Sequence, residues 1–179
     1  MRIKRSKKTA ENFPAAKLML SEIKEAYKDE CERNKNLENK ASIVLTLMGV
    51  LLTIGINELK FIEIAKIRVD NFLQICLNLV LAIALIIMII MLVLTTYNIY
   101  HSIKTRPYEK MSTEGFISEN GKKQEENIAI ILISIYTKMI DKNRIINNEK
   151  SKYIDKSIIY LTICVIAYVT YSLIYKITY

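Results

Sequence analysis

The chain has 179 residues, a formal net charge of +8 and a hydrophobic content of 51%. The apolar residues are gathered rather than scattered: residues 41–56, 72–100 and 157–175 contain no Asp, Glu, Lys or Arg, and charged stretches separate them. This excludes a large water-soluble enzyme core, because the residues that would build one are committed to three blocks of about bilayer-spanning length.

In chain order, residues 1–13 read as a flexible basic arm. Pro14 suits the first turn of a helix, with Asn12 or Glu11 as cap. From residue 15 to 54 only Gly49 interrupts good helix formers. Leu20, Tyr27, Asn34 and Ala41 recur at one heptad position, and Ile23, Glu30 and Leu37 at the other. Leu20, Ile23, Tyr27, Asn34 and Leu37 are therefore expected to form a seam between copies of the chain, with Asn34 setting its register. The heptad runs without a break from a cytosolic segment, 14–40, into a first span, 41–57. One helix of roughly 40 residues is predicted.

Residues 58–71 mix charge with apolar side chains and suit an external loop or a short interfacial helix. The second span covers 72–100 and continues to Lys104, stopping before Pro107. Residues 101–156 are expected to form a cytosolic helical hairpin region. Within it, 105–122 carry the loop signals Pro107, Ser112, Gly115 and Gly121. Ile128, Ile131, Leu132, Ile135 and Met139 share one helical face, and a break is predicted near Asn147 and Asn148. The third span is 157–176. No strand pattern is evident. The predicted fold class is all-α: three transmembrane helices with long cytosolic helical extensions, assembled as an oligomeric bundle.

Lys and Arg number 11 in residues 1–40 and 11 in 101–156, against 3 in 57–71 and 1 after residue 175. By the positive-inside rule the N-terminus and the middle loop are cytoplasmic and the C-terminus external. Met1 to Lys8 are followed by polar residues and Pro14 rather than by an apolar core, so the first span is expected to serve as the insertion signal. Basic flanks explain the net charge first as topology, and second as affinity for anionic lipid or another polyanion.

Ser42, Thr46, Gly49, Thr53 and Asn57 are spaced by 4, 3, 4 and 4 and share one face of the first span. Small and hydroxyl residues let helices approach closely in lipid and hydrogen-bond across the contact. The same face in an oligomer would line a wet pore. Both readings stand. Gln74 and Asn78, four apart on the second span, are expected near the outer mouth and Asn57, as an interhelical hydrogen bond or an ion contact. No ionisable carboxylate or amine lies deep in any span, which argues against a proton relay, voltage sensor or coupled transporter. Tyr171 and Tyr175 are expected in an outer aromatic belt, and Tyr97 and Tyr100 in an inner one with His101 beside them. Cys31, Cys76 and Cys164 form no CxxC pair, and the chain has 1 His. Neither a metal site nor any other cofactor is predicted. No phosphate loop, dinucleotide glycine motif, HExxH or GxSxG occurs, and no enzymatic activity is expected.

The segment ERNKNLENKASIVLTLMGVLLTIGI (32–56) resembles the cytosol-to-membrane junction of small bacterial anti-phage effectors, with Lys40, Ala41, Ser42 and Gly49 at the similar positions. SIYTKMIDKNRIINNEKSKYIDKSIIYLTICV (134–165) resembles the last cytosolic helix and final span of the same group, the Pycsar-type transmembrane effectors. The SLATT effectors share the general plan. The resemblance implies a multi-pass protein of the bacterial inner membrane that perturbs the bilayer in an abortive-infection response. Its partners would be the lipid bilayer, further copies of itself (a tetramer is expected) and a regulatory signal. No nucleotide-sensor domain is recognisable, so a partner protein such as a nucleotidyltransferase, a nucleotide and a nucleic acid stand side by side as triggers. The alternatives are a non-conducting anchor for a soluble partner enzyme and a holin-like toxin, the latter weakened by the long heptad-bearing arm. A reporter active only outside the cytoplasm, fused after residue 179, is expected to be active, and the same reporter fused at residue 1 silent. The opposite pattern would overturn the three-span topology.

Overall fold

The computed structural model describes residues 14–58, 72–104, 108–111 and 124–178. It contains three α-helices: α1 (Ala16–Glu58), α2 (Phe72–Ile103) and α3 (Glu125–Thr178). No strand occurs among the described residues. The basic arm, most of the 58–71 segment and most of the 105–122 loop lie outside them.

α1 has the single continuous course predicted. It begins just past Pro14, where the Met19 N–H already reaches the Ala15 carbonyl at 3.0 Å. α3 differs from expectation. The break foreseen at Asn147 and Asn148 is absent, and one 54-residue helix replaces the second arm of the predicted hairpin. The reason is burial. Asn147 is fully enclosed on the inward line of α3, and Asn148 accepts a hydrogen bond from Arg33 Nη2 at 2.7 Å. Tertiary partners thus override the weak helix preference of two adjacent asparagines.

The chain divides into two compact units. One comprises Arg33–Arg106 with Ile146–Tyr179. In it α2 runs antiparallel to α1 and α3. Thr96 Oγ1 lies 3.4 Å from Met48 Sδ, the His101 ring stacks on Tyr153 at 5.3 Å, and Cys164 Sγ approaches the Met88 carbonyl at 3.9 Å. Leu37, Ala41, Val44 and Met48 of α1 pack with Ile99 of α2 and with Ile154 and Leu161 of α3. Further out, Met88 packs with Cys164 and Ala167, and Leu81 and Ala84 with Tyr171.

The inward positions follow one rule. On α2 they are 74, 77, 81, 84, 88, 91, 95, 98 and 102; on α3, within this unit, 147, 150, 154, 157, 161, 164, 168, 171 and 175. On α1 they are 34, 37, 41, 44, 48, 51 and 55. All are buried or half-buried, at alternating steps of three and four. That is the 3.5-residue repeat of helices packed knobs-into-holes. Large apolar side chains between these lines point outward, among them Leu47 and Val50 on α1, Ile86 and Ile90 on α2, and Ile159 and Ile166 on α3. A surface this apolar requires lipid or protein against it. All three helices are long and apolar enough to cross a membrane, which fits a multi-pass membrane protein.

The contacts also align the charged flanks. Counting from Met48 and Thr96 places Lys40 opposite Lys104; counting from His101 and Tyr153 places Lys104 opposite Lys150, with Lys152 about half a turn further on. Lys40 and Lys104, at the charged ends of the first two apolar blocks, thus share nearly one level with Lys150, while Lys156, at the end of the third, lies about 9 Å further along the axis.

The other unit comprises Met1–Glu32 with Pro107–Ile145. Lys17 Nζ and Glu125 Oε2 pair at 2.9 Å, joining the first turns of α1 and α3, and Glu125 holds the Lys17 amine above its ordinary pKa. The pair is exposed, so it orients the helix ends more than it stabilises them. Tyr27 packs its ring on Tyr136 at 5.4 Å. Burial, then Cys31 and Tyr136 nearby, pushes the Tyr27 hydroxyl up to about 12.

Because Leu161 is buried in the contact of three helices and Leu173 is 59% exposed, the two positions differ in what truncation removes. Leu161→Ala is expected to destabilise the protein in detergent by about 2 kcal/mol or more, and Leu173→Ala to leave it nearly unchanged. Equal midpoints in thermal unfolding would contradict this packing.

Candidate functional site

The polar stripe of α1 occupies the back of the helix. Ser42, Thr46, Gly49 and Thr53 stand at the heptad positions farthest from the inward line 41, 44, 48 and 51, and all four are exposed. Asn57 lies on the same helix, one turn beyond Thr53. Among the described residues no other helix of the chain covers this face, so helix packing there would engage another copy, and both sequence readings stand.

Local geometry explains how hydroxyls are tolerated there. Thr46 Oγ1 donates to the Ser42 carbonyl and Thr53 Oγ1 to the Gly49 carbonyl, each at 3.0 Å. A hydroxyl bonded to the carbonyl one turn back spends its only proton and still presents lone pairs outward. An alanine methyl built at Gly49 would meet nothing within 4 Å. No close approach inside the protomer requires glycine at this position.

Residues expected to form a seam between copies have partners within the chain itself. Leu37 sits in the core with Ile154, and Tyr27 packs against Tyr136 of α3. Asn34 accepts from Lys150 Nζ at 2.8 Å, and its own Nδ2 donates to Glu38 Oε1 at 3.0 Å. Lys150 Nζ also reaches Glu38 Oε1 at 3.1 Å, with the lysine side chain only 11% exposed. Asn34 therefore acts as a register device, but between α1 and the chain's own α3. Leu20 and Ile23 are half-buried on the same line.

Gln74 and Asn78 are half-buried on α2. The side chain of Asn57, expected beside this pair, lies outside the described residues. Tyr97 and Tyr100 are exposed, within two turns of Lys104. Tyr171 is not at a lipid-facing belt: it is 2% exposed, packed on Leu81 and Ala84. Its place on the inward line decides this.

Sequence reasoning missed a second polar feature. Thr95, Asn98 and Ser102 of α2 and Asn147 and Ser157 of α3 are buried on the inward lines. Four of them bond to their own helix: Thr95 to Met91 O, Asn98 to Leu94 O, Ser102 to Ile99 O and Ser157 to Tyr153 O, at 2.7 to 2.9 Å. Their signal was present as the same three-and-four spacing. Among the described residues no group of His, Cys, Asp or Glu could hold a metal ion. No family profile, curated protein or solved structure matches the chain.

The space around Gly49 yields a direct test. Gly49→Ala is expected to leave the protomer's thermal stability unchanged or to raise it by up to about 1 kcal/mol through helix propensity. A lowered midpoint would reveal a close contact inside the protomer.

Proposed function

We propose that the chain is a membrane-embedded effector that assembles from several copies into a gated pore, with the outward stripe of α1 turned toward the shared axis. The observation that carries this reading is the placement of Ser42, Thr46, Gly49 and Thr53 on the face of α1 opposite its core. Polar side chains at membrane depth avoid lipid and favour a water-filled or protein-covered surface. Three helices whose inward lines are filled by Met48, Met88, Leu161 and their neighbours leave no passage within one copy, so conduction requires assembly. Outward lone pairs at Ser42, Thr46 and Thr53 are ligands of the kind that replace ion hydration in a pore. The basic flanks support an N-terminus in the cytoplasm and a C-terminus outside. The resemblance of residues 32–56 and 134–165 to anti-phage effectors supports an inner-membrane location and an abortive-infection role, released by a protein or nucleotide signal.

A second reading, a non-conducting anchor, is favoured by the side-chain cluster around Glu109 and Asn143, a built polar contact away from the stripe that conduction itself does not use.

Purified protein reconstituted into liposomes loaded with an ion-sensitive dye separates the two. Flux is expected from the wild type, several-fold reduced in Thr53→Leu and Asn57→Leu. In cells, a voltage-sensitive dye should report depolarisation during growth arrest. Arrest at an unchanged potential would reject the pore in favour of the anchor.

A further inference from the structure

The His101 ring of α2 stacks on Tyr153 of α3 at 5.3 Å and lies 4.5 Å from the Tyr97 ring. This stack joins α2 to α3 on the side away from α1, which packs against Ile99 and Ile154 instead. Helical periodicity puts Lys156 and Tyr160 on the Tyr153 side of α3, and Tyr97 and Lys104 on the His101 side of α2. Counted from the stack, Tyr97 and Lys156 reach nearly one level on the two walls of the α2–α3 groove.

Lys156 is exposed, about 9 Å further into the apolar block than the level shared by Lys40, Lys104 and Lys150. A cation at that depth must either reach back to water or draw an anion to itself. Among the described residues Lys156 makes no ion pair, and the hydroxyls of Tyr97, Tyr153 and Tyr160 have no hydrogen-bond partner.

The charge of the groove favours an anion. From Phe72 to Ile103 α2 carries no carboxylate. Lys104, Lys152 and Lys156 border the groove, against the single half-buried carboxylate of Glu149. Asp155 projects from the far side of α3, where Ser151 Oγ donates to it at 3.4 Å. Beyond Tyr160 the walls become apolar, with Ile90 and Ile163 exposed. A phosphate at Lys156 therefore continues into hydrocarbon along the same groove, which suits a lipid rather than a free anion.

We propose that this groove binds one anionic phospholipid, with its phosphate on Lys156, its glycerol among the hydroxyls of Tyr97, Tyr153 and Tyr160, and an acyl chain along Ile90 and Ile163. The site requires only that these helices stand in lipid. Pore and anchor accommodate it equally, and it is measured by binding, so its outcome is independent of conduction.

The test is native mass spectrometry of the full chain in detergent with added phosphatidylglycerol or phosphatidylcholine. The wild type is expected to retain one phosphatidylglycerol, at least about fivefold more strongly than phosphatidylcholine. Lys156→Gln should weaken that retention about tenfold and Tyr97→Ala several-fold. Lys24→Gln, an equal loss of charge outside the groove, should leave it unchanged. Should Lys156→Gln fail to fold, a phosphatidylglycerol with a photoreactive acyl chain serves: it is expected to label the wild type near Ile90 or Ile163, and labelling confined elsewhere overturns the site. Equal retention of the two lipids, or a loss in Lys24→Gln matching that in Lys156→Gln, overturns it too. Displacement of the lipid by excess glycerol phosphate would assign the groove to a free anion and overturn the lipid.

Discussion

Helix packing every 3.5 residues is the constraint on which the rest of this molecule depends. In water an amphipathic helix is oriented by hydrophobicity, but α2 and the outer half of α3 are apolar all round and carry no such bias. Lipid tails are as apolar as leucine, so transfer out of water cannot choose their inward face. Shape must do so. Small or slim side chains at Ala41, Ala84, Ser157, Cys164 and Ala167 let the helices approach, and Met48, Met88 and Leu161 fill the remaining space. Once the inward line of α1 is taken by Leu37, Ala41, Val44 and Met48, its back is determined by geometry alone. That back is where Ser42, Thr46, Gly49 and Thr53 stand.

Polar groups in the bundle obey a second economy. A buried hydroxyl or amide without a partner is costly, and in hydrocarbon no water can supply one. Thr95, Asn98, Ser102 and Ser157 meet this by bonding to carbonyls three or four residues back in their own helices. Thr46 and Thr53 use the same device on the opposite side of α1. The local bond is alike in both places and therefore does not distinguish core from surface. The difference lies in what covers the outer side of each group. Neighbouring helices cover the first set; for the second, the proposed answer is another copy of the chain around water.

Where α1 and α3 leave the apolar blocks, polar specificity replaces shape. Asn34, Glu38 and Lys150 form a closed triad in which each charge has a partner, and Asn143 reads a backbone rather than a side chain. These groups are expensive to bury singly and inexpensive as a set.

The three long helices, their spanning length and the continuity of α1 were legible in the sequence, because they depend on local quantities: charge-free length, helix propensity and a heptad visible where polar residues contrast with apolar ones. The same heptad on α2 and α3 escaped notice because most positions there are apolar, and only Thr95, Asn98 and Ser102 on α2 and Asn147 and Ser157 on α3 gave it contrast. The unbroken course of α3 through Asn147 and Asn148, the inward turn of Tyr171 and the pairing of Asn34 with Lys150 were likewise decided by neighbours distant in sequence. The amino-acid sequence by itself determined that these segments are helices long and apolar enough to span a membrane; only the tertiary structure decided which side of each helix is shared. Length and hydrophobicity are properties of one helix, whereas a buried face exists only between two.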